Sequence, residues 1–132
     1  MSGDPYVVRE DELDWETWED GAAPEDAGVA WKTLVGAPGA PTDTLTLGVA
    51  RLLPGSPLRE HRHAQAEVYL VLAGTGEVTI DGARRAVGPG SAVFIPGGAR
   101  HGHARTGEAD LRFAYAFAAD AFADVEYDFG DR

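Results

Sequence analysis

Four histidines fall in two short segments, and their spacing sets the chemistry they can do. His61 and His63 are two apart, so on a strand both side chains leave the same face. Glu67 follows His63 by four and keeps that parity if Ala64-Gln65-Ala66 stays regular or makes a compensated turn. Two imidazoles and a carboxylate converging inside a barrel supply three ligands for a divalent metal of intermediate softness. In the second segment His101 offers a fourth ligand from a neighbouring strand. Left without a metal, such a cluster would bury several titratable groups unpaired, which is costly. Three neutral imidazoles and one carboxylate leave a dication near a single net positive charge, with open positions in an octahedron. An open position separates a reactive centre from a structural one. Such a centre binds a carboxylate or enolate as Lewis acid, holds dioxygen if the metal is iron, or acidifies a bound water.

Three neighbours share the parity of these ligands. Tyr69, two beyond Glu67, points inward; it is read either as a base toward a metal-bound substrate or as a packed, locally hydrogen-bonded phenol. His103 follows His101 by two, as a donor that orients a ligand, a substrate contact, or a rim residue without a role. Arg105 follows by two more, as a lumen clamp for a carboxylate or as an ion pair with Glu108 or Asp110. Parity puts Arg62 and Arg100 on the opposite side from the ligands.

The elements that must hold these residues read as short strands. Tyr6–Val8 is a candidate first strand, and Trp15 and Trp18 are spaced to share one helical turn. Strands follow at 30–35, 44–53, 67–73, 77–80, 84–87, 92–95 (taken as buried) and 111–118, with Asp81-Gly82 as a hairpin signal. Leu111, Phe113, Tyr115 and Phe117 alternate with Arg112 and three alanines, a half-buried pattern. Short strands with turn signals every 8–12 residues mean an all-β sandwich or barrel.

At 132 residues the chain fits a single domain, and it has no cysteine. Its net charge of -11 is uneven: -9 over residues 1–26, +2 over 27–117 and -4 over 118–132. No concentrated basic footprint exists for nucleic acid. No apolar run is long enough to span a bilayer, and the acidic start lacks a signal pattern, so the expectation is a soluble, cytoplasmic protein without a membrane partner.

The segment Gly55 to Gly74 fits G-x5-H-x-H-x3-E-x6-G, and Gly90 to His101 fits G-x5-P-x-G-x2-H, with Arg105 where an Asn usually follows. On these motifs the chain resembles the cupin superfamily over residues 45–118. The resemblance implies a jelly-roll β-barrel holding one divalent transition metal through His61, His63, Glu67 and His101. Fe2+ or Mn2+ is favoured; Ni2+, Zn2+ and Cu2+ are the others. The expected division is an acidic arm and edge strand over 1–40, the barrel over 41–119, and a C-terminal strand or tail over 120–132. The function expected is a mononuclear metal enzyme, first a dioxygenase, acting on a small carboxylate-bearing or enolisable substrate. The alternatives are a metal-assisted lyase, decarboxylase or isomerase, or a non-catalytic sugar- or metabolite-binding barrel. The Glu67-x-Tyr69 arrangement resembles that of cupin-type dimethylsulfoniopropionate lyases, which use such a tyrosine. Trp15, Trp18 and Trp31 are read as barrel cover, a dimer contact or a substrate lid, and a homodimer is expected, because edge strands need protection.

Overall fold

The computed structural model describes residues 4–17, 28–53 and 57–130, so Trp18 and Gly55 lie outside the described residues. Nine strands follow in chain order: β1 (Val29–Val35), β2 (Thr46–Leu52), β3 (Leu58–His61), β4 (Glu67–Ala73), β5 (Gly76–Ile80), β6 (Ala83–Val87), β7 (Ala92–Ile95), β8 (His101–Arg105) and β9 (Leu111–Phe117). They pair antiparallel into a five-stranded sheet, β1-β2-β9-β4-β7, and a four-stranded sheet, β3-β8-β5-β6. Among the described residues the only helical pieces are 3-10 turns at Glu10–Glu12 and Phe122–Asp124, and no helix is long and apolar enough to cross a membrane. This is an all-β jelly-roll architecture.

Period-two patterning puts the core between the sheets. Leu111, Phe113, Tyr115 and Phe117 of β9 are buried, as are Glu67, Tyr69 and Val71 of β4, while Val68 and Leu70 face outward half-exposed. Asp81 and Gly82 both take positive φ, 47° and 85°, joining β5 to β6 by the hairpin their sequence signals.

Three local expectations are corrected. Tyr6–Val8 forms no strand; its anchor is the Tyr6 hydroxyl donating to Pro41 O at 3.0 Å. Trp15 lies beyond the Glu10–Glu12 turn, and cations draw its indole onto the barrel. Lys32 Nζ is 4.7 Å from its ring centre and the Arg51 guanidinium 4.5 Å. Glu10 bridges Lys32 (3.4 Å) and Arg112 (2.6 Å) beside it, so the arm clasps the outer face of β1, β2 and β9 within its own chain. The third correction is β7, taken as buried: only Ile95 is enclosed, and Phe94 is 64% exposed.

Candidate metal centre

The histidine cluster forms where the two sheets meet at one end of the barrel. His61 closes β3 and stands directly opposite His101, which opens β8. An irregularity between Leu58 and His61 shifts the register there, and such bulges commonly re-aim a side chain. His63 lies just past β3 rather than on it, and Glu67 is the first residue of β4 in the facing sheet. The two motif loops are stitched together: Gly98, at φ 82°, donates its N–H to His63 O at 2.8 Å. Beside it Gly97 sits so close to the Ala64 carbonyl that a side chain there would collide with backbone.

One donor atom from each of His61, His63 and His101 lies within 4.8 Å of the others, and all three rings are buried. Glu67 Oε1 lies 3.0 Å from His63 Nε2 and 3.2 Å from His101 Nε2. The tautomers follow from the other nitrogen. Nδ1 of His61, His63 and His101 meets the carbonyls of Arg59, Gln65 and Ala99 at 2.7, 2.9 and 2.9 Å. A carbonyl only accepts, so each Nδ1 carries the hydrogen and each Nε2 presents a lone pair. Lone pairs of His63 and His101 then face a carboxylate oxygen, an arrangement that repels unless a cation stands among them. Burial, with His101 beside it, pushes His61 down to about 4, so its ring is neutral at physiological pH. This donor chemistry fits a single first-row divalent metal.

The C-terminal segment, expected as a strand or tail, roofs this centre. Arg62 and Asp128 exchange two backbone hydrogen bonds, at 2.9 and 2.8 Å, and their side chains pair at 3.2 Å. Tyr127 stacks on His61 with ring centres 4.7 Å apart, and Phe129 lies 5.5 Å from the same ring. Behind the strap Trp31, Phe113, Tyr115, Phe122 and Tyr127 line a lumen with Glu67 and Tyr69. Its free volume is about 30 Å3. The available signal was Phe122, Tyr127 and Phe129 recurring in an otherwise acidic stretch.

Residues 48–117 match the Cupin domain family. The chain belongs to the cupins. It is 46% identical over 110 residues to the dimethylsulfoniopropionate lyase DddW of Ruegeria pomeroyi, covering 83% of this chain and 71% of the relative. The crystal structure of the dimethylsulfoniopropionate lyase DddQ, also of Ruegeria pomeroyi, superposes with a TM-score of 0.70 at 28% identity, covering 83% of this chain and 58% of that one. A cupin-2 domain of Rhodospirillum rubrum, at 23% identity, covers 98% of this chain and 84% of its own with a TM-score of 0.76, which speaks to fold. The likenesses to the two lyases favour the lyase alternative over the dioxygenase reading.

Within this cupin the three flanking residues separate. Tyr69 is buried and donates from its hydroxyl to Glu67 Oε1 at 3.1 Å. Burial first, and then the charge of Glu67, push its pKa well above 10, so the chain's own groups keep the phenol protonated. His103 lies one layer deeper, stacked on Phe113 at 4.7 Å and edge-on to Tyr69 at 4.3 Å. Burial pushes it down to about 3, and its Nε2 has no hydrogen-bond partner among the described residues. It therefore orients none of the ligand histidines. Arg105 departs from both readings: Nη1 donates to the Ala109 carbonyl at 3.0 Å in an exposed contact. The β8–β9 turn presents that carbonyl at the strand end, and the guanidinium satisfies it instead of entering the lumen. Arg62 and Arg100 do lie away from the cluster, on Asp128 and on Glu60 O.

These shifts set an acid limit for the metal-free protein. The folded state holds His61 and His103 neutral to about 4 and about 3, whereas unfolded histidine titrates near 6.5. Depressed folded values mean the unfolded chain takes up protons first as the pH falls. Stability is full above about pH 6.5 and declines below it, by up to ~1.4 kcal/mol per pH unit for each group, until the folded values are reached. Denaturant midpoints of chelator-treated protein at pH 7.5, 6 and 5 should fall in that order. Equal midpoints would show that the two rings do not stay neutral.

Proposed function

We propose that this cupin is a metal-dependent lyase that cleaves a β-onium carboxylate, with dimethylsulfoniopropionate as the leading candidate substrate. The observation that carries the reading is the pairing of Tyr69 with Glu67 at the histidine cluster, inside a lumen walled by aromatic rings. Aromatic faces attract a sulfonium or quaternary ammonium group. His61, His63, Glu67 and His101 would hold the metal, with Fe2+ or Mn2+ favoured, and the metal would supply a Lewis acid for the substrate carboxylate. Tyr69 Oη is the base candidate: with its own proton released to solvent under the positive charge that a bound metal would supply, the phenolate takes the proton α to the carboxylate, the C–H electrons form the double bond, and the β carbon–sulfur bond breaks with release of the neutral sulfide. Trp31, Phe122 and Tyr127 pack against the sulfonium methyls and keep water from the reacting carbons. A free volume of about 30 Å3 admits little more than one water, so the strap has to yield when substrate enters.

The protein, freed of metal and reloaded separately with Fe2+, Mn2+, Ni2+ or Zn2+, should release dimethyl sulfide and acrylate from dimethylsulfoniopropionate, measured by headspace gas chromatography. The free thioether product needs no dioxygen, so anaerobic and aerobic rates should match. Metal-loaded protein that releases no sulfide with any of the four metals would overturn the reading.

A further inference from the structure

A second cavity adjoins the lumen, and every residue lining it lies outside the segment 48–117 that matches the family. Its volume is about 390 Å3, and its walls include Glu16, Trp31, Phe122, Tyr127 and Phe129. Trp31, Phe122 and Tyr127 also line the lumen, so these three rings are the partition between the two spaces. Ring centres along the wall are 6.1 Å apart from Trp31 to Phe122, 6.4 Å from Phe122 to Tyr127 and 6.1 Å from Tyr127 to Phe129. The wall is thus a continuous aromatic surface.

Among the described residues, Glu16 is the only charged one that lines this cavity. A further hollow of about 420 Å3 shares Glu16 and Phe122, and its other charged residue is Asp120. No described cation lines either space. The position of Glu16 is fixed by backbone: its N–H donates to Trp31 O at 2.7 Å, and the Trp31 N–H donates back to Glu16 O at 3.0 Å. Residues that exchange both bonds in an antiparallel pair stand directly opposite, with side chains on the same face. The exposed carboxylate therefore rises beside the indole, and it makes no hydrogen bond or ion pair with a described residue.

We propose that this cavity binds a small onium cation, a sulfonium or quaternary ammonium group, and that Glu16 selects its positive charge. An onium spreads its charge over methyl groups and has no N–H or O–H to satisfy. Ring faces suit it, and a carboxylate at their edge adds attraction that a neutral ligand does not feel and an anion feels as repulsion. A bare metal ion is a poor occupant, because it needs several oxygen ligands and the wall offers one carboxylate. One ring of the wall already holds a cation, with the Arg59 guanidinium 4.2 Å from the centre of Phe129. For the lyase reading, on which this step alone rests, an onium carboxylate pauses here with its cationic end held before the partition yields. Acrylate, which keeps only the negative end, is repelled by the same carboxylate. Trp31, offered by the sequence as cover, dimer contact or lid, takes the role of partition.

Choline and its uncharged isostere 3,3-dimethylbutan-1-ol test the site on the full chain, with Zn2+ added to keep the metal centre diamagnetic. The readout is the Trp31 indole N–H in 15N-resolved spectra, assigned with Trp31→Phe. Choline should shift that signal saturably, with a Kd at least about threefold below that of the alcohol. Glu16→Gln should weaken choline about two- to fivefold at low salt and leave the alcohol unchanged, a difference that shrinks as salt is raised. The same substitution should raise the KM for dimethylsulfoniopropionate by a similar factor. Equal affinities for choline and the alcohol would overturn the proposal, as would a choline affinity untouched by Glu16→Gln. Choline binding without any release of dimethyl sulfide would sustain the site and sink the lyase reading. Sulfide release without choline binding would do the reverse.

Discussion

Replacing His101 by alanine is expected to strip the chain of bound metal and, with it, all measurable turnover. His101 is fully buried, faces His61 across the β3–β8 pair, and lies 3.2 Å from Glu67. No other side chain in the cluster can take its place, because His103 sits one layer deeper with its ring stacked on Phe113. Loss of a partner that merely orients a ligand costs about 10- to 100-fold in metal affinity, so loss of a ligand should cost more. Elemental analysis after dialysis should find less than about a tenth of the wild-type metal. The variant should also lose the shift in melting temperature that added metal gives the wild type, since metal bound only by the folded state stabilises it. Metal content and melting shift that match the wild type would remove His101 from the coordination set.

Tyr69→Phe should separate holding the metal from using it. The substitution deletes one hydroxyl and its 3.1 Å bond to Glu67 while keeping the ring that packs against Phe113 and His103. Loss of that hydrogen bond should cost about 1 kcal/mol in stability. If the phenol is the base, kcat on dimethylsulfoniopropionate should drop roughly a hundred- to ten-thousand-fold, with metal content and KM close to wild type. A phenol that only packs would leave kcat within about twofold, and that result would sink the assignment.

The contrast between these two residues marks what the sequence made legible. A strict period-two pattern transmits facing directly, so β4, β9 and the inward set Glu67, Tyr69, Leu111, Phe113, Tyr115 and Phe117 could be read from spacing alone. The motif spacing located the four ligand candidates for the same reason: turns framed by Gly and Pro hold their offsets. Parity failed at strand ends. Arg105 ends β8, and a nearby turn carbonyl outweighed the alternation that held for His101 and His103. The run 92–95 also gave no signal for Phe94, because a short apolar strand reads the same whether a given side chain turns into the core or out to solvent. Segments outside the strands were the hardest. Trp15 was clear as an aromatic that needed a partner, but the three cations it finds come from β1, β2 and β9, far away in sequence. Tyr127 and Phe129 stood out as aromatics in an acidic stretch but could not be placed at the site, since their contact with His61 depends on a crossing that no local pattern encodes.

That crossing orders how the protein can be built. Arg62 meets Asp128 across 66 positions of chain, and every ligand candidate is synthesised before the strap that covers it. Because residues 127–129 join the site only by crossing back over β3, shortening the chain from its C-terminal side would uncover the His61 ring without removing any ligand candidate.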